Sequence, residues 1–105
     1  MVRIPENRSP THPGEMLTED FLVPMEITQR ELASAIHVPY QRINELVNHK
    51  RGITPSTALR LGRFFGTSAE FWLNHQLRWD LYRAERAEKD VLRRIRKHDS
   101  GRETA

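Results

Sequence analysis

The stretch ITQRELASAIHVPYQRINELVNHKRG, residues 27–52, constrains this chain more than any other, because it holds a helix start, a forced stop and a second start. Thr28 followed by Glu31 has capping-box spacing and starts a helix at Thr28, with Leu32, Ala33 and Ile36 on its inner face. That helix has to stop near His37 and Val38, since Pro39 lacks an amide hydrogen and biases the residue before it away from the α region. Proline is at home in a first turn, so a second helix is expected from Pro39. There Ile43, Leu46 and Val47 share one side, while Tyr40, Gln41, Arg42, Asn44, Glu45 and Asn48 cover the rest. Small Ala33 lets the two helices cross closely. The pattern reads as a helix-turn-helix unit; the competing reading is an αα-hairpin inside some other helical bundle.

The flanks read as supports for this pair. His12-Pro13-Gly14 opens a first helix, with Pro13 suited to its first position, Glu15 near its positive end, and Met16, Leu17, Phe21 and Leu22 on one stripe. Pro24 is expected to end it. After the pair, Thr54 and Pro55 start a fourth helix with Leu59, Leu61, Phe64 and Phe65 turned inward and Gly66 just past its end. Thr67 and Glu70 repeat the capping-box spacing before a fifth helix that carries Phe71, Trp72, Leu77, Trp79, Leu81 and Tyr82.

A chain of 105 residues supports one modest core with limited interior for two tryptophans. These six residues are therefore expected at a dimer interface, with Phe71 and Trp72 equally suited to the chain's own core. Beyond Ala84 the sequence is charged, and Val91, Leu92 and Ile95 are spaced to extend the helix until it frays near Lys97. The expected organisation is all-α and five-helix: a flexible arm over residues 1–11, the domain over 12–84, and a charged extension over 85–105 that is disordered from Asp99.

Composition narrows the function classes. Charged residues make up 30% of the chain, yet the net charge is only +3, so the placement of Lys and Arg matters more than their sum. The absence of cysteine excludes disulfides, thiolate metal sites and cysteine nucleophiles. His12, His37, His49, His75 and His98 are scattered without the i, i+4 pairing of a zinc helix, and neither a phosphate-binding glycine loop nor a nucleophile elbow is present. The expectation is a cytoplasmic protein that is not an enzyme, has no metal or cofactor, and does not enter the membrane.

The helix pair resembles the helix-turn-helix of the lambda-repressor and Cro-like (XRE) class. Its continuation KRGITPSTALRLGRFFGTSAEFWLNHQ, with the upstream HPGEML and FLVPMEIT, is similar to HigA-type antitoxins over residues 12–84. RGITPSTALRL and GTSAEFWLN are the more specific parts. The resemblance implies an autorepressing antitoxin that also binds and blocks a HigB-type mRNA-cleaving toxin; the rivals are a stand-alone regulator of the same fold and a protein-interaction module in which the helix pair has lost DNA binding and only the aromatic helix acts. Where this sequence has His37 and His49 the family usually has glycine, and Ser or Thr is more usual where Pro39 stands. Histidine is among the non-glycine residues enriched at positive φ, so each swap weakens a turn without forbidding it.

The start of the second helix of such a unit enters the major groove while the first helix crosses the backbone. Tyr40, Gln41 and Arg42 are expected to reach base edges of a double-stranded operator, with Asn44 and Glu45 as further readers. Arg42 matches guanine, Gln41 matches adenine, and Glu45 accepts either from cytosine or from Arg42 or Arg51. Thr28 and Gln29 at the start of the first helix, with Asn48, Lys50 and Arg51 after the second, are expected on phosphates. A homodimer then reads two half-sites about one helical turn apart.

Overall fold

The computed structural model describes residues 9–99. Residues 1–8 of the expected arm, with Arg3 and Arg8, and residues 100–105 of the expected tail lie outside that range. All regular secondary structure among the described residues is helical, without strands. In order, the elements are α1 (Pro13–Met16), a π-helical segment (Leu17–Leu22), α2 (Val23–Met25), α3 (Gln29–Ile36), α4 (Tyr40–Val47), α5 (Pro55–Phe65), α6 (Ala69–Ala87) and α7 (Lys89–Arg94). One core joins α1, the π-helical segment, α3, α4, α5 and α6, built from Leu17, Leu32, Ile43, Leu46, Leu61 and Trp72, each fully buried. Ala33, Ile36, Ile53 and Ala58 are also buried in it, while α2 and α7 add no buried residue.

The first helix is continuous from Pro13 but widens over Leu17–Leu22. Thr18 Oγ1 donates to Gly14 O at 3.0 Å, and the Val23 N–H reaches five residues back to Thr18 O. Pro24 does not end this helix as its sequence position suggests. In an α-helix its ring would meet the carbonyl four residues back; the wide turn relieves that clash, and the helix closes instead at Glu26, φ 56°. Phe21 extends from this segment onto Phe65 and Trp72, with ring centroids 4.7 and 5.0 Å away.

The α3 and α4 pair takes the expected form with small shifts. Thr28 is the cap and not the first helical residue: its hydroxyl accepts from the Glu31 N–H at 3.0 Å, and the Glu31 carboxylate accepts from the Thr28 N–H at 2.8 Å. Pro39 likewise stands just outside α4, because its ψ of 144° is extended, and Tyr40 is the first helical residue. Leu32, Ala33, Ile36, Ile43 and Leu46 are buried between the helices. Four helix ends share one device, a left-handed residue followed by an N–H that bonds five residues back: Glu26, His37, His49 and Gly66 supply the turn. Only the last is glycine.

On α5 the expectation was half met. Leu61 is buried and Phe65 partly so, but Leu59 and Phe64 are 65% and 41% exposed. Thr57, Ala58 and Gly62 take the inner face instead, because small residues let α5 lie close against α6. The α6 cap is Ser68, whose hydroxyl accepts from the Phe71 N–H, and not Thr67; the Thr67 hydroxyl is engaged by Trp72 Nε1 at 2.7 Å. Trp72 is 0% exposed and has no surface left for a second subunit, so it drops out of the expected dimer set. Its chain proves large enough to cover it because Phe21, Phe65 and Phe71 close around the indole.

Candidate nucleic-acid interface

One side of α4 is held by the core through Ile43 and Leu46; the other is a band of polar side chains. Tyr40 and Gln41 are exposed, and Arg42, Asn44 and Glu45 are half-buried. Most of this band is cross-linked. Gln41 Nε2 donates to Glu45 Oε2 at 3.1 Å, and Asn44 Nδ2 donates to Gln29 Oε1 at 3.2 Å and to the Tyr40 hydroxyl at 3.3 Å. Glu45 also accepts from Arg51, Nη2 to Oε1 2.9 Å, which decides between the two arginines weighed as its partner. The Arg51 guanidinium, followed by the Gln41 amide, holds the Glu45 carboxyl below the usual carboxylate range.

Arg42 differs from its neighbours. Its side chain makes no hydrogen bond or ion pair among the described residues, so its five donors are uncommitted. Lys50 is exposed and equally uncommitted, one turn beyond the end of α4. Thr28 and Gln29 sit at the start of α3, where unsatisfied N–H groups and the positive end of the helix favour an anion. With Gln29 Oε1 occupied by Asn44, the Gln29 Nε2 donor remains. Asn48 Nδ2 bonds back to Asn44 O at 2.8 Å.

Three contributors were not visible in the sequence. Arg30 lies over the Tyr40 ring at 4.1 Å from its centroid, a cation–π contact that fixes the first residue of α4 from α3. Arg60 donates from Nη1 to Ile36 O at 2.7 Å and to His37 O at 3.3 Å, closing the α3 end from α5. Gln76 Oε1 accepts from the Ile53 N–H at 2.7 Å, tying the loop after α4 to α6. These contacts join residues distant in sequence, and no periodicity announces them.

The turn that carries Lys50 and Arg51 has a further support. His12 is buried, and its Nδ1 accepts from the Gly14 N–H at 2.9 Å, which requires a neutral ring with its proton on Nε2. The His12 ring stacks on His49, centroids 4.2 Å apart, and Trp79 meets His12 edge-on at 5.0 Å. Burial first, and then the adjacent His49, lowers the His12 pKa. Trp79 is thus half-covered by its own chain, Phe71 packs on Phe21 and Trp72, and Tyr82 is half-buried, while Leu77 and Leu81 stay 54% and 53% exposed. Among the described residues no group of three or more His, Asp or Glu side chains could hold a metal ion, and no helix is long and apolar enough to cross a membrane.

Comparison with known proteins places this geometry. The helix-turn-helix family model HTH_3 matches residues 20–72. Virulence-associated protein I of Dichelobacter nodosus is 50% identical over 76% of this chain and 74% of its own. Antitoxin HigA-1 of Vibrio cholerae is 40% identical over 71% of this chain and 70% of its own. Among solved structures, the Pseudomonas aeruginosa antitoxin HigA with the higBA promoter superposes with a TM-score of 0.80 at 41% identity, covering 83% of this chain and 96% of that one.

Proposed function

We propose, from the premise that this chain belongs to the helix-turn-helix family and to its HigA-like branch, that it is an operator-binding antitoxin. It represses its own operon as a homodimer and neutralises a HigB-type mRNA-cleaving toxin. The observation that carries the DNA-binding part is the outward band of α4, where Arg42 stands uncommitted between exposed Tyr40 and Gln41 and the phosphate donors Gln29 and Lys50. The toxin-binding part is supported by likeness to HigA antitoxins.

Binding proceeds in two stages of different chemistry. Lys50, Gln29, Thr28 and Asn48 meet phosphates first and set register without reading sequence, and this contribution falls with salt. Arg42 then donates two bonds to guanine O6 and N7, worth about 1–3 kcal/mol of discrimination. Gln41 reads adenine once it lets go of Glu45, and Tyr40, held by Arg30, packs against a thymine methyl or a phosphate. Arg51 exchanges the Glu45 carboxylate for a phosphate, which frees Glu45 to accept from cytosine. Two copies then read half-sites about one helical turn, roughly 34 Å, apart.

The test is a gel-retardation assay on the DNA upstream of the chain's own gene, with and without the product of the adjacent reading frame. Retardation of that DNA but not of a scrambled duplex, together with co-migration of the neighbour and loss of its RNA cleavage, is expected. Retardation with no effect on the neighbour would leave a stand-alone regulator, and no retardation would remove the DNA-binding reading.

A further inference from the structure

The turn that presents Lys50 and Arg51 has a neighbour, because α6 passes beside it. Gln76 Oε1 accepts from the Ile53 N–H at 2.7 Å and fixes where that approach begins. One helical turn further along α6, Trp79 meets the His12 ring edge-on, and His12 stacks on His49, which precedes Lys50. Arg83 follows after another turn. Together they form a shallow concavity with Lys50 and Arg51 on one wall and Trp79, Asp80 and Arg83 on the other.

The charges that line it are not equally available. Arg51 is paired with Glu45 at 2.9 Å, and Asp80 is held by the Gln76 amide, Nε2 to Oδ1 2.9 Å. Lys50 and Arg83 are exposed, and neither makes a hydrogen bond or ion pair among the described residues. The Arg83 guanidinium stands 6.0 Å from the centre of the Trp79 ring, within reach of its attraction for a cation. Trp79 is half-buried against His12, so the ring is a fixed platform. It steers Arg83 without using any of its five N–H donors. A planar cation steered in this way, with its donors unspent and an ammonium across from it, suits a phosphate that offers two oxygens.

We propose that Arg83 binds a backbone phosphate of the duplex beside the one met by Lys50, making α6 a third element, after α3 and α4, that holds DNA. This contact rests on the DNA-binding reading above and carries it to an element outside the helix pair. A free phosphate ion is the other source of the same chemistry. Asp80 repels a small anion that nothing else holds, whereas a phosphodiester arrives tethered to a duplex that α4 already grips. Phosphate is the same under every base pair, so Arg83 adds affinity and salt dependence without reading sequence, unlike Arg42.

Fluorescence anisotropy of the full chain on the operator and on a random duplex, each across a salt series, tests this with Arg83→Gln, Arg83→Lys and Arg78→Gln. Arg83→Gln should bind both duplexes about three- to tenfold more weakly near ~0.15 M salt, with a salt slope lower by about one. Arg83→Lys keeps the charge and should keep the wild-type slope. Arg78 stands on the side of α6 that faces Met16 and Glu19, so Arg78→Gln removes the same charge and should leave the slope unchanged. If Arg83 only stacks on Trp79, Arg83→Gln will shift thermal unfolding and leave the slope alone, which would overturn the proposal. So would an equal slope change in Arg78→Gln, or a loss confined to the operator. Inorganic phosphate at constant ionic strength should not raise the unfolding temperature of the wild type; a rise that Arg83→Gln abolishes would assign the concavity to a free anion instead. A wild type that binds neither duplex would end the DNA reading itself, whereas binding to both with a slope indifferent to Arg83 would end only the α6 contact.

Discussion

His37 and His49 close the two helices of the helix-turn-helix with the same backbone geometry, φ 61° and 62°, yet their rings live in different surroundings. In both turns the next residue bonds back across the helix end, Val38 N–H to Ala33 O and Lys50 N–H to Glu45 O. The left-handed conformation costs an L-residue about 1–2 kcal/mol. At His37 the exposed imidazole has no ring partner among the described residues, and the turn is held only through backbone carbonyls by Arg60. At His49 the imidazole lies flat on buried His12 and faces the edge of Trp79. The first turn is strained and tolerated. The second is strained and braced, and it is the one that presents Lys50 and Arg51.

The brace depends on how closely the first helix approaches α4. A Cβ at Gly14 would lie 1.9 Å from Leu46 O, a backbone atom that cannot swing aside. Gly14→Ala should therefore cost more than about 3 kcal/mol in chemical denaturation, because α1 must back away and take His12 with it. A loss below about 1 kcal/mol would mean that α1 is not seated as described.

Next in size is His12 itself. His12→Ala removes the acceptor for the Gly14 N–H, the stack on His49 and the edge contact with Trp79, for about 2 kcal/mol. His12→Asn keeps an acceptor at the cap and should recover about half of that. Equal losses in the two variants would show that capping contributes nothing here.

The two turns can then be set against each other. His37→Gly relieves the strain and gives up no ring contact, and should stabilise by about 1 kcal/mol. His49→Gly relieves the same strain but abandons the stack, so its net effect should lie near zero or below. If both variants stabilised equally in thermal unfolding, the brace would be an illusion.

The smallest expected effect is on pH dependence. His12 is lowered from its ordinary value near 6.5, so the unfolded chain takes up this proton first. Stability from this group is whole above the ordinary value, falls as pH drops through it towards the folded value, and levels off below that. His12→Asn should flatten this window of the stability-against-pH curve; an unchanged curve would assign the slope elsewhere.

The same contrast explains what the sequence made legible. Thr28, Glu31, Leu32, Ile36, Ile43 and Leu46 are local signals, a cap and a period, and they locate α3 and α4 to within a residue. The left-handed turns at His37 and His49 are expected from the resemblance, because the family usually has glycine at both positions, and the structure has both residues at positive φ. Leu59 and Phe64 were placed inward because apolar residues on a short helix look alike whichever side they occupy; small Ala58 and Gly62 won the inner face by allowing close packing on α6. Thr67 and Ser68 are both able caps, and the choice fell to the buried Trp72 N–H, which needed Thr67. Pro24 could not be read without the widened turn before it. The brace on His49 and the Arg30 contact to Tyr40 join different helices, so no local pattern contains them.

On the proposed reading surface, the Arg42 side chain makes no hydrogen bond or ion pair among the described residues, while Glu45 holds Gln41 and Arg51, and Asn44 bonds to Gln29 and Tyr40. The most direct measurement is fluorescence anisotropy across a salt series, on the operator and on a random duplex, for the wild type, Arg42→Ala and Lys50→Ala. Arg42→Ala should lose about 1–3 kcal/mol on the operator and little on random DNA. Lys50→Ala should lose equally on both, with a salt slope lower by about one. Equal losses on both duplexes for Arg42→Ala would contradict the assignment of the α4 band as the surface that reads sequence.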